Sequence, residues 1–247
     1  KNKGNPAVML IREVVKHRKG NRMKDLDSYS MGKYKKIEID LNNITQKFMS
    51  NAMFKNFQEI FNYVDTSKIN GKPFLPVFLN EIISKVYYQR DSNKKKEWII
   101  ANRTAGFDEY LDGEGASAFI LNILQEVDIY SGSILFLEKD FTSPIANIAP
   151  SIYRYYLLDT VMIDNISCYE MGFMPRNNAA FAFKGKLWIV ADSTYAIKQV
   201  ELGMTDQINV NFVNTFLISQ KFSRIDSAGM ILTESHTTID FDVAMSS

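Results

Sequence analysis

The sequence predicts an α+β fold in which a large antiparallel sheet packs against amphipathic helices. Within residues 169–202, three runs of alternating apolar and polar side chains are separated by turn-forming residues, which is typical of antiparallel strands. From Ile152 onward, one such strand follows another. Two segments nearer the start of the chain repeat apolar residues at helical spacing, which indicates helices lying on the sheet.

The first part of the chain is predicted to contain both helices. Asn5 is a good cap residue and Pro6 suits the first helical position, so the first helix should begin here and run to Lys19, just before Gly20. The other elements predicted in this part are a strand at Ser28–Leu41, a helix at Asn42–Val64, and a hairpin that pairs Phe74–Arg90 with Lys95–Ala105.

The second part is predicted to be mostly strand. A helical segment at Ala116–Val127 precedes a short apolar strand at Ile134–Glu138 and an irregular connection at Thr142–Pro150, which contains two prolines. The strands that follow are Ile152–Ile163, Tyr169–Met174, Phe181–Val190, Tyr195–Leu202, Asn211–Arg224 and Gly229–Asp242. We expect one domain over residues 1–247, with a looser insert over residues 108–150.

Composition argues against several classes of protein. The formal net charge is only +1, so no overall positive field favours nucleic acid, and we predict no nucleic-acid partner. The single cysteine, Cys168, precludes an internal disulfide and a Cys-based zinc site, and a buried inert thiol is its simplest interpretation. No phosphate-binding loop, dinucleotide fingerprint, nucleophile elbow or zinc-protease motif is present, so we predict no cofactor and no catalytic residue.

Carboxylates supply the only alternative chemistry. Glu81 alternates in phase with Val77, Leu79, Ile83 and Tyr87, so it is expected to point inward unless a one-residue bulge turns it outward. Four acidic residues crowd one loop: Asp108, Glu109, Asp112 and Glu114. That loop could hold calcium, although its spacing is not that of an EF-hand and its charges would also stabilise the start of the next helix. A hydrolase would require Glu81 and one of these four to lie about 5–10 Å apart.

Several stretches together resemble one family. They are NPAVMLIREVVKHRKGN, SYSMGKY, LPVFLNEIISKVYYQ, KKKEWIIANRTAG, YRYYLLDT, FAFKGKLWIVADSTYAIKQVEL and INVNFVNTFLISQKF. In this order they resemble the middle region of the domain-of-unknown-function 5686 family of Bacteroides-type bacteria. The resemblance implies an excised soluble segment of an outer-membrane protein. It would lie in the periplasm between a carboxypeptidase-regulatory-like β-domain, which is not a peptidase, and an outer-membrane barrel.

A second resemblance covers about a third of the chain. The segment with Phe183, Leu187 and Ile189 is similar to a motif of LolA-like periplasmic proteins. That resemblance implies a curved, open half-barrel with helices on its concave face and an apolar cavity for acyl chains. One face of the second predicted helix is formed by Phe48, Met49, Met53 and Phe57. This face is either plain core or, together with Phe183, Leu187 and Ile189, the lining of an apolar pocket.

These observations lead to three functional hypotheses. The first is a non-catalytic, periplasm-facing module that binds a lipid, a lipoprotein acyl chain or a partner chain. The second is a structural spacer that connects other domains of the same chain, with membrane association provided by regions outside this segment. The third is the carboxylate-dependent hydrolase.

Overall fold

The computed structural model describes residues 4–23, 26–42, 65–66, 73–106, 125–178, 180–208, 210, 213–225 and 229–242. Within these ranges there are one long helix, α1 (Pro6–His17), and a single helical turn, Ala149–Ile152. The strands are β1 (Ser28–Asn42), β2 (Asp65–Thr66), β3 (Pro73–Gln89), β4 (Lys94–Gly106), β5 (Ser133–Phe136), β6 (Lys139–Thr142), β7 (Tyr153–Ile163), β8 (Ile166–Pro175), β9 (Lys184–Val190), β10 (Ile197–Gly203), β11 (Val213–Ile225) and β12 (Gly229–Asp242).

Ten of these strands form one open sheet, so the predicted α+β half-barrel class is confirmed. The order is β2-β3-β1-β12-β11-β10-β9-β8-β7, and β4 pairs with β3 beside β2. The predicted antiparallel arrangement needs one correction, because β1 and β12 run parallel, with Tyr34 opposite Glu234 and Asn42 opposite Asp242. The sheet is therefore mixed. The parallel pair joins two antiparallel halves, each of which is formed by strands close in sequence.

Helix α1 begins where the sequence predicted. The Asn5 side chain accepts a hydrogen bond from the Ala7 backbone N–H at 2.9 Å, and Pro6 occupies the first turn, where its missing N–H costs nothing. The buried stripe of this helix is Ala7, Val8, Ile11 and Val14. These side chains belong to the main hydrophobic core, so α1 packs on the sheet. The second predicted helix, at residues 42–64, lies outside the described residues beyond Asn42.

The segment 125–152 completes the layer that covers β7–β11. Phe141 stacks on Phe183 with ring centroids 4.7 Å apart, and the Tyr155 hydroxyl donates to the Pro144 carbonyl at 2.7 Å. The Ile197 backbone N–H donates to the Tyr130 hydroxyl at 3.0 Å. These buried polar groups are satisfied across the layer, which fixes its position on the sheet.

Two local features of the sheet are the close approach of β9 to β10 and the choice of the buried face of β3. A Cβ at Gly185 would lie 1.9 Å from the Glu201 carbonyl oxygen, so only glycine permits this approach of β9 to β10. In β3 the buried side chains include Phe78, Asn80 and Val86, which is the phase opposite to Glu81. The expectation that Glu81 points into the core is therefore wrong.

Candidate ligand-binding site

A pocket of about 270 Å³ lies where the layer formed by residues 125–152 begins, over one end of the sheet. Its apolar and aromatic wall is formed by Met23, Tyr29, Tyr88, Val127, Ile129, Tyr130, Phe222 and Leu232. Its charged wall is formed by Arg22, Lys95, Glu126 and Asp128. We call this cavity the Tyr29 pocket. Its volume is close to the lower limit of about 300 Å³ for small-molecule sites, and its mixture of apolar walls with a few polar groups is typical of them.

The aromatic side of the Tyr29 pocket is built by strand pairing. Tyr29 of β1 lies opposite Tyr88 of β3, and their rings stack with centroids 5.2 Å apart. Cross-strand aromatic pairs of this kind stabilise neighbouring antiparallel strands and offer a rigid apolar surface. Burial, and then the negative charge of Glu126, raise the pKa of Tyr29 to about 12. The phenol is therefore neutral at physiological pH.

The opposite side of the pocket is held in place by hydrogen bonds to buried groups. The Gln220 side chain on β11 donates to the Val127 carbonyl at 2.7 Å. The Asp128 carboxylate accepts from the Tyr130 backbone N–H at 2.9 Å and from the Ser131 hydroxyl at 3.1 Å. Residues 126–130 are thereby fixed over the sheet, so the cavity beneath them has defined walls.

A charge network adjoins the pocket. Lys33 of β1 is only 6% exposed, and its ammonium lies 2.6 Å from the Glu126 carboxylate and 3.3 Å from that of Glu97. Burial alone would lower the pKa of Lys33, but the attraction of Glu126 and Glu97 outweighs it and raises this pKa. Lys95 reaches the same Glu126 carboxylate at 3.9 Å. The buried face of β1 therefore carries a paired cation, Lys33, next to the apolar side chain of Met31, whereas the residues that α1 buries are apolar.

A second cleft, of about 700 Å³, lies over β9–β11. It is lined by the Gly185 and Gly203 backbone together with exposed charged side chains, including Lys184 and Asp206, which pair at 3.1 Å. Such a lining holds water more readily than an apolar group. Of these two cavities, the Tyr29 pocket is therefore the better candidate site.

A family model described as a family of unknown function, DUF5686, matches residues 10–246. The chain belongs to the DUF5686 family. This confirms the family resemblance carried by the sequence stretches quoted above. A comparison of this DUF5686 sequence with curated proteins finds no match.

Solved structures similar to this DUF5686 chain share little sequence with it. A candidate outer-membrane lipoprotein-sorting protein domain from Vibrio parahaemolyticus has a TM-score of 0.27 and 8% identity, covering 66% of this chain and 58% of that one. The Pseudomonas aeruginosa MucA/MucB complex has a TM-score of 0.29 and 11% identity, covering 94% and 56%. Lipoprotein LppX from Mycobacterium tuberculosis has a TM-score of 0.27 and 12% identity, covering 81% and 88%. The chain thus spans less than two thirds of the first two structures, and these similarities carry no argument about a ligand.

The predicted pocket residues are only partly within the described chain. Phe183, Leu187 and Ile189 are fully buried in the main core. The other four, Phe48, Met49, Met53 and Phe57, lie outside the described residues. Their shared role in an apolar pocket stays a prediction.

Of the carboxylates singled out from the sequence, only Glu81 lies within the described residues. Glu81 accepts a hydrogen bond from the Tyr34 hydroxyl at 2.7 Å and lies 3.8 Å from the Arg103 guanidinium. The acidic loop formed by Asp108, Glu109, Asp112 and Glu114 lies outside the described residues. Within the described part of the chain, no group of three or more His, Cys, Asp or Glu side chains is placed to hold a metal ion. None of the helices in the described ranges is both long and apolar enough to cross a membrane.

Sequence reasoning missed the Tyr29 pocket. Its residues come from the turn after α1, from β1, β3 and β4, from residues 126–130 and from β11 and β12. No local spacing brings these segments together. The one usable signal was the alternation that places Tyr29 and Lys33 on the same face of β1.

Proposed function

We propose that this chain is a non-catalytic binding module of the cell envelope, and that the Tyr29 pocket takes up one end of an amphipathic ligand such as a lipid or a lipoprotein acyl chain. The observation that carries the proposal is the composition of the pocket wall. Apolar and aromatic side chains, among them Met23 and Leu232, line the same cavity as the charged side chains Arg22, Lys95, Glu126 and Asp128. An acyl chain would bury apolar surface there while its polar end stays near the charged side chains.

Within the same proposal, this segment faces the periplasm as part of an outer-membrane protein. The support for that location is the family resemblance in the sequence, which implies flanking regulatory-like and barrel regions. Fractionation of cells that produce the full-length protein tests it. Recovery of the protein in the soluble cytoplasmic fraction would contradict the envelope location.

Binding is tested by native mass spectrometry and calorimetry with saturated fatty acids of increasing chain length. We expect a one-to-one complex whose affinity weakens about tenfold when two buried methylenes are removed, because each contributes about 0.8 kcal/mol. The substitution Met23→Trp places an indole in the pocket and should abolish binding. Met162→Trp is the matched control, because Met162 is 67% exposed on β7, away from the pocket.

Two results would refute the proposal. One is the absence of binding for every chain length. The other is binding to Met23→Trp with the affinity of the unmodified protein. The spacer hypothesis predicts the first of these results.

A further inference from the structure

Two arginines that follow α1, Arg18 and Arg22, make no salt bridge within the described part of the chain. The Arg18 guanidinium donates to the Ile145 carbonyl at 3.2 Å, and the Arg22 guanidinium donates to the Tyr130 carbonyl at 3.4 Å. Both acceptors are neutral. The Nε–H group of each arginine is buried and finds no hydrogen-bond acceptor among the described residues. A buried donor without an acceptor costs about 1–3 kcal/mol.

The two guanidinium groups also repel each other. Burial, and then the positive charge of Arg22, lower the pKa of Arg18, and Asp128 opposes this only in part. A guanidinium normally pairs with a carboxylate or phosphate through two parallel N–H groups. An anion beside Arg22 would supply that pairing and relieve the repulsion.

The acidic groups of the pocket are already satisfied. Glu126 is paired with Lys33 at 2.6 Å, and Asp128 accepts from the Tyr130 backbone and the Ser131 hydroxyl. The ammonium of Lys95 is half exposed at the rim and reaches Glu126 only at 3.9 Å. The charged groups of the Tyr29 pocket that lack a close partner of opposite charge are therefore the cations Arg22 and Lys95. Both line the pocket together with its apolar wall.

We propose that the ligand of the Tyr29 pocket is an anionic amphiphile, with its carboxylate or phosphate group bound by Arg22 and Lys95 and its chain against Met23, Tyr29 and Leu232. This inference rests on the proposed function and narrows the class of ligand. An arginine side chain has the rotational freedom to turn its Nε–H and Nη–H groups together toward the anion. The neutral carbonyl of Tyr130 loses one hydrogen bond in that exchange.

The test uses four probes with the same dodecyl chain, below their micelle-forming concentrations. Dodecanoate and dodecyl phosphate are anionic, monododecanoylglycerol is neutral, and dodecyltrimethylammonium is cationic. Acetate and inorganic phosphate serve as headgroups without a chain. We expect the two anionic probes to bind at least about tenfold more tightly than the neutral one, since a hydrogen bond to a charged group contributes about 1.5–3 kcal/mol. The preference should decrease as salt is added.

Variants assign the preference to specific groups. Arg22→Gln and Lys95→Gln should each reduce affinity for dodecanoate about tenfold or more and leave the neutral probe unchanged. Arg22→Lys should keep part of the preference for anionic probes, because lysine retains the positive charge but lacks the two parallel N–H donors of a guanidinium. Lys94→Gln is the matched control, because Lys94 is exposed on the same strand and does not line the pocket. If Arg22→Gln fails to fold, Lys95→Gln still provides the test.

The outcomes separate this inference from the proposed function. Equal binding of anionic and neutral probes, or an equal effect of Lys94→Gln and Lys95→Gln, overturns the anionic class and leaves the binding function intact. Binding of acetate or phosphate as tightly as the dodecyl anions means that the chain plays no part, which overturns both. If no dodecyl probe binds, both fail.

Discussion

Replacing Asp40 with asparagine should remove a large pH dependence of the free energy of unfolding. Asp40 of β1 lies directly opposite Asp240 of β12, and the two side chains share one face because paired residues of parallel strands point the same way. Asp40 is 3% exposed and Asp240 is 0% exposed. Among the described residues, one Asp40 carboxylate oxygen and both polar atoms of the Asn42 amide have no hydrogen bond of normal geometry. Two carboxyl groups thus lie buried on adjacent strands.

The pKa of Asp40 reflects this environment. Burial, followed by the negative charges of Glu38 and Asp240, raises it from the ordinary 3.8 to about 8, and only Lys36 acts in the opposite direction. Between about pH 4 and about pH 8 the folded protein therefore holds a proton on Asp40 that the unfolded chain has released. Stability due to this group is fully present at low pH and decreases by about 1.4 kcal/mol per pH unit as the pH rises. From about pH 5.5 to about pH 7.5 the decrease is about 2.5 kcal/mol.

The assay is urea unfolding at these two pH values for the unmodified protein and for Asp40→Asn. Any constant cost of the amide cancels when each protein is compared with itself at the other pH. From the lower to the higher pH, the free energy of unfolding of the unmodified protein should fall by about 2.5 kcal/mol more than that of Asp40→Asn. Asp206→Asn is the control, because the Asp206 side chain is 96% exposed and should follow the unmodified protein. A difference between Asp40→Asn and the unmodified protein that does not depend on pH would refute the raised pKa.

Three further predictions concern packing and burial. Gly185→Ala should destabilise the protein by about 2 kcal/mol or more, because the added Cβ meets the neighbouring strand, whereas Gly132→Ala, with open space around it, should change urea unfolding by less than about 0.5 kcal/mol. Lys33→Met should cost about 1–3 kcal/mol in the same assay, because Glu126 and Glu97, each about a third exposed, lose their nearest cation but keep Lys95 and the Ser84 hydroxyl as partners. Lys186→Met, whose side chain is 46% exposed, should cost less than about 1 kcal/mol. Cys168 should react with a thiol reagent only as the protein unfolds, since burial raises the pKa of its thiol, and rapid modification of the folded protein would contradict this.

Elements with local signals were the most predictable from sequence. Asn5 and Pro6 place the start of α1 within one residue, and β12 has the predicted bounds Gly229–Asp242. The parallel pairing of β1 with β12 joins residues about 200 positions apart in sequence, and nothing local encodes it. Antiparallel pairing was the natural default because each neighbouring strand pair in the second half is a hairpin or a short connection.

The error at Glu81 has a specific cause. Strand β3 carries apolar residues on both faces, so alternation alone does not decide which set is buried. Its buried set includes Asn80 and Ser84, which would be expected on the wet face. Asn80 donates to the Asn102 side chain at 3.0 Å and to Thr104 at 3.1 Å, and Ser84 donates to Glu97 at 2.7 Å. These polar side chains are buried because β4 supplies their partners, and a single strand does not show that.

The side chains on the buried face of the sheet differ between its two halves. On β9 and β10 the apolar side chains of Leu187 and Val200 are fully buried beneath the covering layer. On β1 the corresponding face carries Lys33, which requires Glu126 and Glu97 for its charge. The Tyr29 pocket lies at this boundary. A ligand placed there contacts apolar side chains on one side and fixed charges on the other, so its chain and its headgroup would be recognised by two neighbouring parts of one sheet face.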